Sequence, residues 1–250
     1  MRYITLSLAI LTLSCTSASR PGSLLDVKSR AMRAGYTADL QVLADAARDA
    51  RAIAASDSAI APLAHYWAGY AYWQRAVNEV NVNAPPEQIA ADRTAALAEM
   101  DAAIAARETF ADAHALAGWL HGWLYTADPD HRDAHVTAIR AHHTRARELE
   151  PDNPRVLWAY ATALQFRDRP AAYKIFDELT RRPDVSKPGA EPDWGVPEAL
   201  MTRAWIHANM DGGDLAIGEQ LAHRALELRP YWYYVKSILI PQIEAKMPHP

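Results

Sequence analysis

A two-helix figure with its own punctuation recurs along this chain, and it constrains the fold more than any other feature. Residues 96–123 (ALAEMDAAIAARETFADAHALAGWLHGW) read as a small-residue helix, a short turn, and a new helix that opens on small residues beside Gly118. The figure returns at 145–164 and at 222–239. Runs that alternate Val or Ile with polar residues are few, so strands are not expected. At 250 residues, 50% hydrophobic and 22% charged, the chain is long and apolar enough to bury a sizeable core. A net charge of -4 gives no basic field to attract nucleic acid or anionic lipid.

The pattern predicts a helix over 24–34, closed by Gly35 as a C-terminal cap. The next opens on Thr37 or Asp39 and runs to about residue 55. Further helices are expected over 59–77, 87–107 and 111–125. Another starts at Asp128-Pro129-Asp130 and runs to 149, since Pro suits a first helical turn. The remainder read as helices over 154–166, 170–182 and 197–210, then from the Gly212-Gly213-Asp214 turn to 229. A last helix, bent near Pro241, covers 231–245. Residues 78–86 read as a loop, and 182–195 as an inserted loop rich in Pro and charge.

The junctions resemble those of the tetratricopeptide repeat (TPR), which places small residues where its two helices cross and Pro after the second. Such residues are Ala68, Gly69, Ala96 and Ala103, then Ala117, Gly118 and Ala146 before Pro151. Ala161, Ala172 and Phe176 follow before Pro183, then Ala204, Gly218, Ala222 and Ala225 before Pro230. A large side chain at a crossing would push the helix axes apart. The spacing departs from the family's ~34-residue period, with 49 positions from Gly69 to Gly118 and 43 from there to Ala161. The resemblance implies an all-α fold, a right-handed α-solenoid of TPR-like helix pairs, over 59–230. Residues 23–58 form leading helices, a degenerate repeat, and 231–250 a capping helix and tail. Small exported bacterial TPR proteins are the nearest likeness.

Residues 1–14 read as a lipoprotein-type signal. Arg2 supplies the positive start, and residues 3–13 are a mostly apolar run too short to span a bilayer. The following LTLSC resembles a bacterial lipobox, with Thr12 where Leu is usual. Cys15 is the single cysteine of the chain, so no internal disulfide is possible, and it is the expected lipidation site. Residues 15–22 form a tether. The expectation is an exported, periplasmic protein, lipid-anchored to the outer membrane, touching membrane only through that N-terminus. Ordinary signal cleavage near Ala18, giving a free exported protein, is the alternative.

The family resemblance implies a concave face lined by the first helix of each pair. Mapped here, that face carries Tyr66, Tyr70 and Trp73, then Trp119 and Trp123, then Trp158 and Phe166, then Trp205. Trp119 and Trp123 are four apart and share a helical face. Exposed rings on such a surface make good anchors, burying large area at small entropy cost. The opposing reading is that rings at helical spacing fill the space between helices. The Lys and Asn of the family's carboxylate clamp are missing, which excludes a chaperone-tail adaptor of that kind.

His131, His135 and His142 share one face of an ideal helix, and the first two have the spacing for one metal, with Asp130 or Asp133 in reach. His114 and His121 form a further pair. HExxH is absent, as are GxSxG, GxGxxG and the P-loop, and solvated histidines are the preferred reading. No metal, cofactor or catalytic residue is assigned. The expected function is a non-enzymatic protein–protein interaction scaffold of the bacterial cell envelope. It would hold a peptide or partner helix in the aromatic groove. The alternative is a small-molecule-binding accessory protein of a periplasmic transport system, with a small apolar ligand enclosed by the same rings.

Overall fold

The computed structural model describes residues 22–247, so the signal, Cys15 and most of the tether lie outside the described residues. Among the described residues the protein is all-helical, with 77% helix and no strand. No helix there is long and apolar enough to cross a membrane.

Eleven α-helices follow one another: α1 (Leu24–Thr37), α2 (Leu40–Ser56), α3 (Ala61–Asn81), α4 (Pro86–Ala106), α5 (Ala111–Ala127), α6 (Arg132–Leu149), α7 (Pro154–Leu164), α8 (Arg169–Arg181), α9 (Val196–Asn209), α10 (Leu215–Leu228) and α11 (Ile240–Glu244). Their starts are written in capping chemistry. Ser23, Asp39, Asn153, Asp168 and Asp214 each accept a hydrogen bond from an N–H of the first turn. Proline opens α3, α4, α7, α8 and α9, where its missing N–H costs nothing.

Three boundaries differ from expectation. Helix α1 passes through Gly35 and ends after Thr37, where Ala38 takes the left-handed conformation at φ 58°. Gly35 serves packing instead: a Cβ there would sit 2.8 Å from Gln74 Oε1, and Asn78 Nδ2 donates to its carbonyl at 2.9 Å. Asp128-Pro129-Asp130 opens no α-helix directly. Pro129–His131 form a 3-10 turn, and α6 starts at Arg132. Near the C-terminus, Val235–Leu239 wind as a wider π-helical turn before Pro241 sits in the first turn of α11.

Each helix from α1 to α10 packs on its successor, and α1 also packs on α3, α5 on α7, and α7 on α9. The crossings use the small residues named above, and Ala68, Ala96, Ala103, Ala117, Ala146, Ala161, Ala172, Ala204, Ala222 and Ala225 are all fully buried. A Cβ on Gly69 would lie 3.0 Å from the carbonyl oxygen of Ala96, and one on Gly218 3.3 Å from that of Ala204. Glycine is what allows these axes to approach.

The ends of the chain meet. Tyr36 of α1 belongs to a cluster otherwise built from α9, α10 and the C-terminal segment. Its ring packs edge-on against Trp232 at 4.9 Å, and its hydroxyl donates to Glu198 Oε1 at 2.5 Å.

Candidate functional site

The rings on α3 converge because α3 is apolar on nearly every side, the mark of a helix buried all round. Tyr66, Trp67 and Tyr70 are fully buried and Trp73 is 3% exposed. Successive rings meet edge to face, Tyr66–Trp67 at 5.4 Å, Trp67–Tyr70 at 5.1 Å and Tyr70–Trp73 at 5.4 Å. Trp73 then meets Trp119 at 5.3 Å and Trp158 at 5.7 Å.

What closes this face is the segment 182–195, which crosses from α8 to α9. Trp194 enters the aromatic set, 5.4 Å from Trp73 and 5.3 Å from Trp158, and its indole N–H donates to the Tyr66 hydroxyl at 2.8 Å. Trp67 donates to the carbonyl of Ala190 at 2.7 Å. Lys28 donates to the carbonyls of Gly189 at 3.2 Å and Glu191 at 2.8 Å, and its ammonium pairs with Asp193 at 2.8 Å. Arg155, held by Asp112, donates to the carbonyl of Trp194 at 2.9 Å. Gly195, at φ 131°, ends the strap; a Cβ there would meet Pro154 Cβ at 3.1 Å. The strap is thus gripped by two modes at once, apolar burial of one ring and hydrogen bonds to its backbone carbonyls.

The expected groove residues therefore divide. Tyr66, Tyr70, Trp73 and Trp158 line no open surface, because they pack on each other and under Trp194. Burial also lifts the Tyr66 and Tyr70 hydroxyls well above the ordinary tyrosine range. Tyr70 Oη and Trp73 Nε1 are buried with no hydrogen-bond partner. Trp119, Trp123 and Trp205 are partly buried against the core. The guanidinium of Arg93 covers the face of Trp123 at 3.7 Å. Phe166, 73% exposed, follows the end of α7, away from this cluster.

Lys28 and Trp67 were missed by sequence reasoning. The signal for Lys28 was present: it sits on the stripe of α1 that carries Leu24, Val27, Ala31 and Gly35, all buried. A lysine on a buried face needs partners, and the strap supplies them.

The histidines group differently from the expected face. His131 lies in the 3-10 turn, exposed, with Nδ1 2.9 Å from Asp128, and so does not share a helical face with His135. Instead α5 and α6 meet along a seam of imidazoles. Ring nitrogens Nδ1 of His121 and His135 lie 3.0 Å apart, and those of His114 and His142 3.1 Å apart. His121 stacks on His142 with centroids 5.6 Å apart. His143 fills the crossing at Gly118. Burial pushes His142 and His143 down to about 4 and lowers His121, whose neighbour His135 adds to the effect. These rings are neutral at pH 7.

No protein-family model matches this chain, and no curated protein or solved structure matches it.

Proposed function

We propose that the protein is a non-enzymatic interaction scaffold, a right-handed solenoid of TPR-like pairs, exported and held by a lipid on Cys15 in the bacterial envelope. Its inner face recognises an extended, proline-bearing peptide with one large aromatic side chain. The observation that carries this reading is the strap. Residues 188–195 (PGAEPDWG) lie across the first helices of successive pairs with Trp194 among the rings and their carbonyls held by Lys28 and Trp67. Ring burial gives affinity and main-chain hydrogen bonds give register, the two ingredients of peptide recognition. The chain occupies its own inner face in cis, and a partner segment of like chemistry enters by exchange with it.

The test uses the full chain with a protease site placed in the exposed stretch 185–189, cut while folded. A fluorescein-labelled peptide of residues 188–195 is expected to bind the cut protein and not the intact one. The same peptide carrying Trp194→Ala is expected to bind neither. A cut chain that keeps its helical circular dichroism and takes up no peptide would sink the proposal.

A second reading, a small-molecule-binding accessory protein, draws on a recess of about 360 Å³ between α1, the strap and the start of the C-terminal segment. Lys28, Arg33, Tyr36, Lys187, Arg229 and Tyr231 border it. That lining would take a small organic anion, not the apolar ligand expected from the rings.

A further inference from the structure

We infer that His121 and His135, facing each other across the α5–α6 seam, form a two-imidazole site for a late divalent transition metal, with Cu(II) the preferred ion. Nothing in the peptide-binding reading requires this site, and the two stand or fall separately.

The distance carries the argument. Two nitrogens 3.0 Å apart, each at a metal–nitrogen bond length of about 2.0–2.1 Å, subtend about 95° at the metal. A tetrahedral ion such as structural Zn(II) would hold its nitrogens roughly 3.3 Å apart. The smaller angle is the cis angle of a tetragonal or square-planar centre, the preference of Cu(II) and Ni(II). Copper also heads the affinity order for nitrogen ligands.

The surroundings separate this pair from the one beside it. In the inner pair, His114 Nε2 lies 3.0 Å from the carbonyl of Glu108. A carbonyl only accepts, so Nε2 carries the proton and Nδ1 is left as an acceptor. His142 Nδ1–H then completes an ordinary N–H···N bond, and no ion is needed. His135 has no such carbonyl partner. Its Nε2 is buried without a hydrogen bond, and the nearest carboxylate is Asp128 at 3.7 Å. A proton on Nε2 points toward that negative charge, leaving the Nδ1 lone pair directed at His121. An outer carboxylate that orients a ligating imidazole is a recurrent feature of metal sites. Stacking on His142 holds the His121 ring in place, so the pair is set before an ion arrives. Burial keeps both seam partners of His121 from competing as cations.

Among the described residues no three His, Cys, Asp or Glu side chains converge as metal ligands. The protein therefore supplies two positions, and water or an exogenous ligand takes the others. Such a centre exchanges its ion and suits capture or delivery better than a permanent structural role.

The test is a Cu(II) titration of the full chain carrying no histidine tag, read by electron paramagnetic resonance and by melting temperature. One equivalent is expected to give a tetragonal spectrum with coupling to two nitrogens, and to raise the melting temperature of the wild type. His135→Gln is expected to weaken binding at least 30-fold, and Asp128→Asn about 10-fold, in the range seen for outer partners. His131→Gln, in the exposed turn, is expected to leave affinity unchanged. Copper bound equally by wild type and His135→Gln, or lost equally in His131→Gln, would overturn the assignment. So would a wild-type melting temperature and spectrum that show no bound equivalent, an outcome independent of how any variant folds.

Discussion

The ammonium of Lys28 donates to the carbonyl of Glu191 at 2.8 Å, across 163 positions of sequence. The same ammonium neutralises Asp193, and both side chains are over nine-tenths buried. Lys28→Met keeps the aliphatic stem and removes the charge. It leaves a buried carboxylate and two carbonyls without their donor, a loss expected to cost about 3–5 kcal/mol. Urea unfolding of the variant measures this. Adding Asp193→Leu should recover part of the loss, because the orphaned charge goes too; a double variant as unstable as the single one would contradict the pairing.

The α5 glycines, Gly118 and Gly122, should respond in opposite directions to the same change. A Cβ on Gly118 would lie 2.5 Å from His143 Cδ2 and 2.6 Å from its Nε2, and an imidazole cannot bend aside. Gly118→Ala is expected to destabilise by about 1–3 kcal/mol through overpacking. Gly122 has nothing within 4 Å of the same position. There Ala lowers the entropy lost on folding, and a gain of about 0.5–1 kcal/mol is expected. Thermal melts of the two single variants decide it, and equal shifts would refute the packing account.

Glu198 should make stability fall as pH rises. Burial raises its carboxyl above the ordinary 4.5, against the lowering effect of bonds from Tyr36 and Gly195. The folded state then holds the proton more tightly than the unfolded one. Its stabilising effect is complete below the unfolded value and is lost as pH climbs through the folded value. Glu198→Gln carries no such titration. Between about pH 4 and pH 7 the wild type should lose ground relative to that variant. Denaturant midpoints collected across this range test the sign, and a constant difference would show that Glu198 does not titrate above its unfolded value.

Two members of the expected groove should behave as different kinds of residue. Trp158 is 3% exposed and its indole donates to Thr202 at 3.0 Å. Trp158→Ala is expected to cost about 3–5 kcal/mol. Phe166 lies open at 73% exposure, and Phe166→Ser is expected to change stability by no more than about 0.5 kcal/mol. Acrylamide quenching of tryptophan emission gives an independent reading: the wild-type emission should be largely protected.

Helix order was legible because it is local chemistry. Asp39, Asn153, Asp168 and Asp214 announce helix starts, and Gly69, Gly118 and Gly218 announce close crossings, whatever lies further away. The exception at Gly35 is instructive, since a glycine demanded by Gln74 and Asn78 looks the same in sequence as a glycine ending a helix. The aromatic face was legible as a set and not as a surface. Whether Tyr66 and Trp73 meet solvent depends on Trp194, more than a hundred residues later, and no local period reports such a contact. The histidine seam was hidden for the same reason. His121 and His135 lie on two helices joined by a 3-10 turn, and only the fold brings their nitrogens together.

Tyr66 waits 128 residues for Trp194. At a synthesis rate of 5–20 residues per second that interval is roughly 6–25 s, far longer than a helix takes to form. During it α3 stands as a formed element whose rings have no cover. Any helper that shields nascent chains would meet this one at the same place each time, and would be released by the arrival of the chain's own later segment. The strap thus sets a timetable as well as a shape: the chain is finished as a folded object only after α9 and its flanking residues have been made.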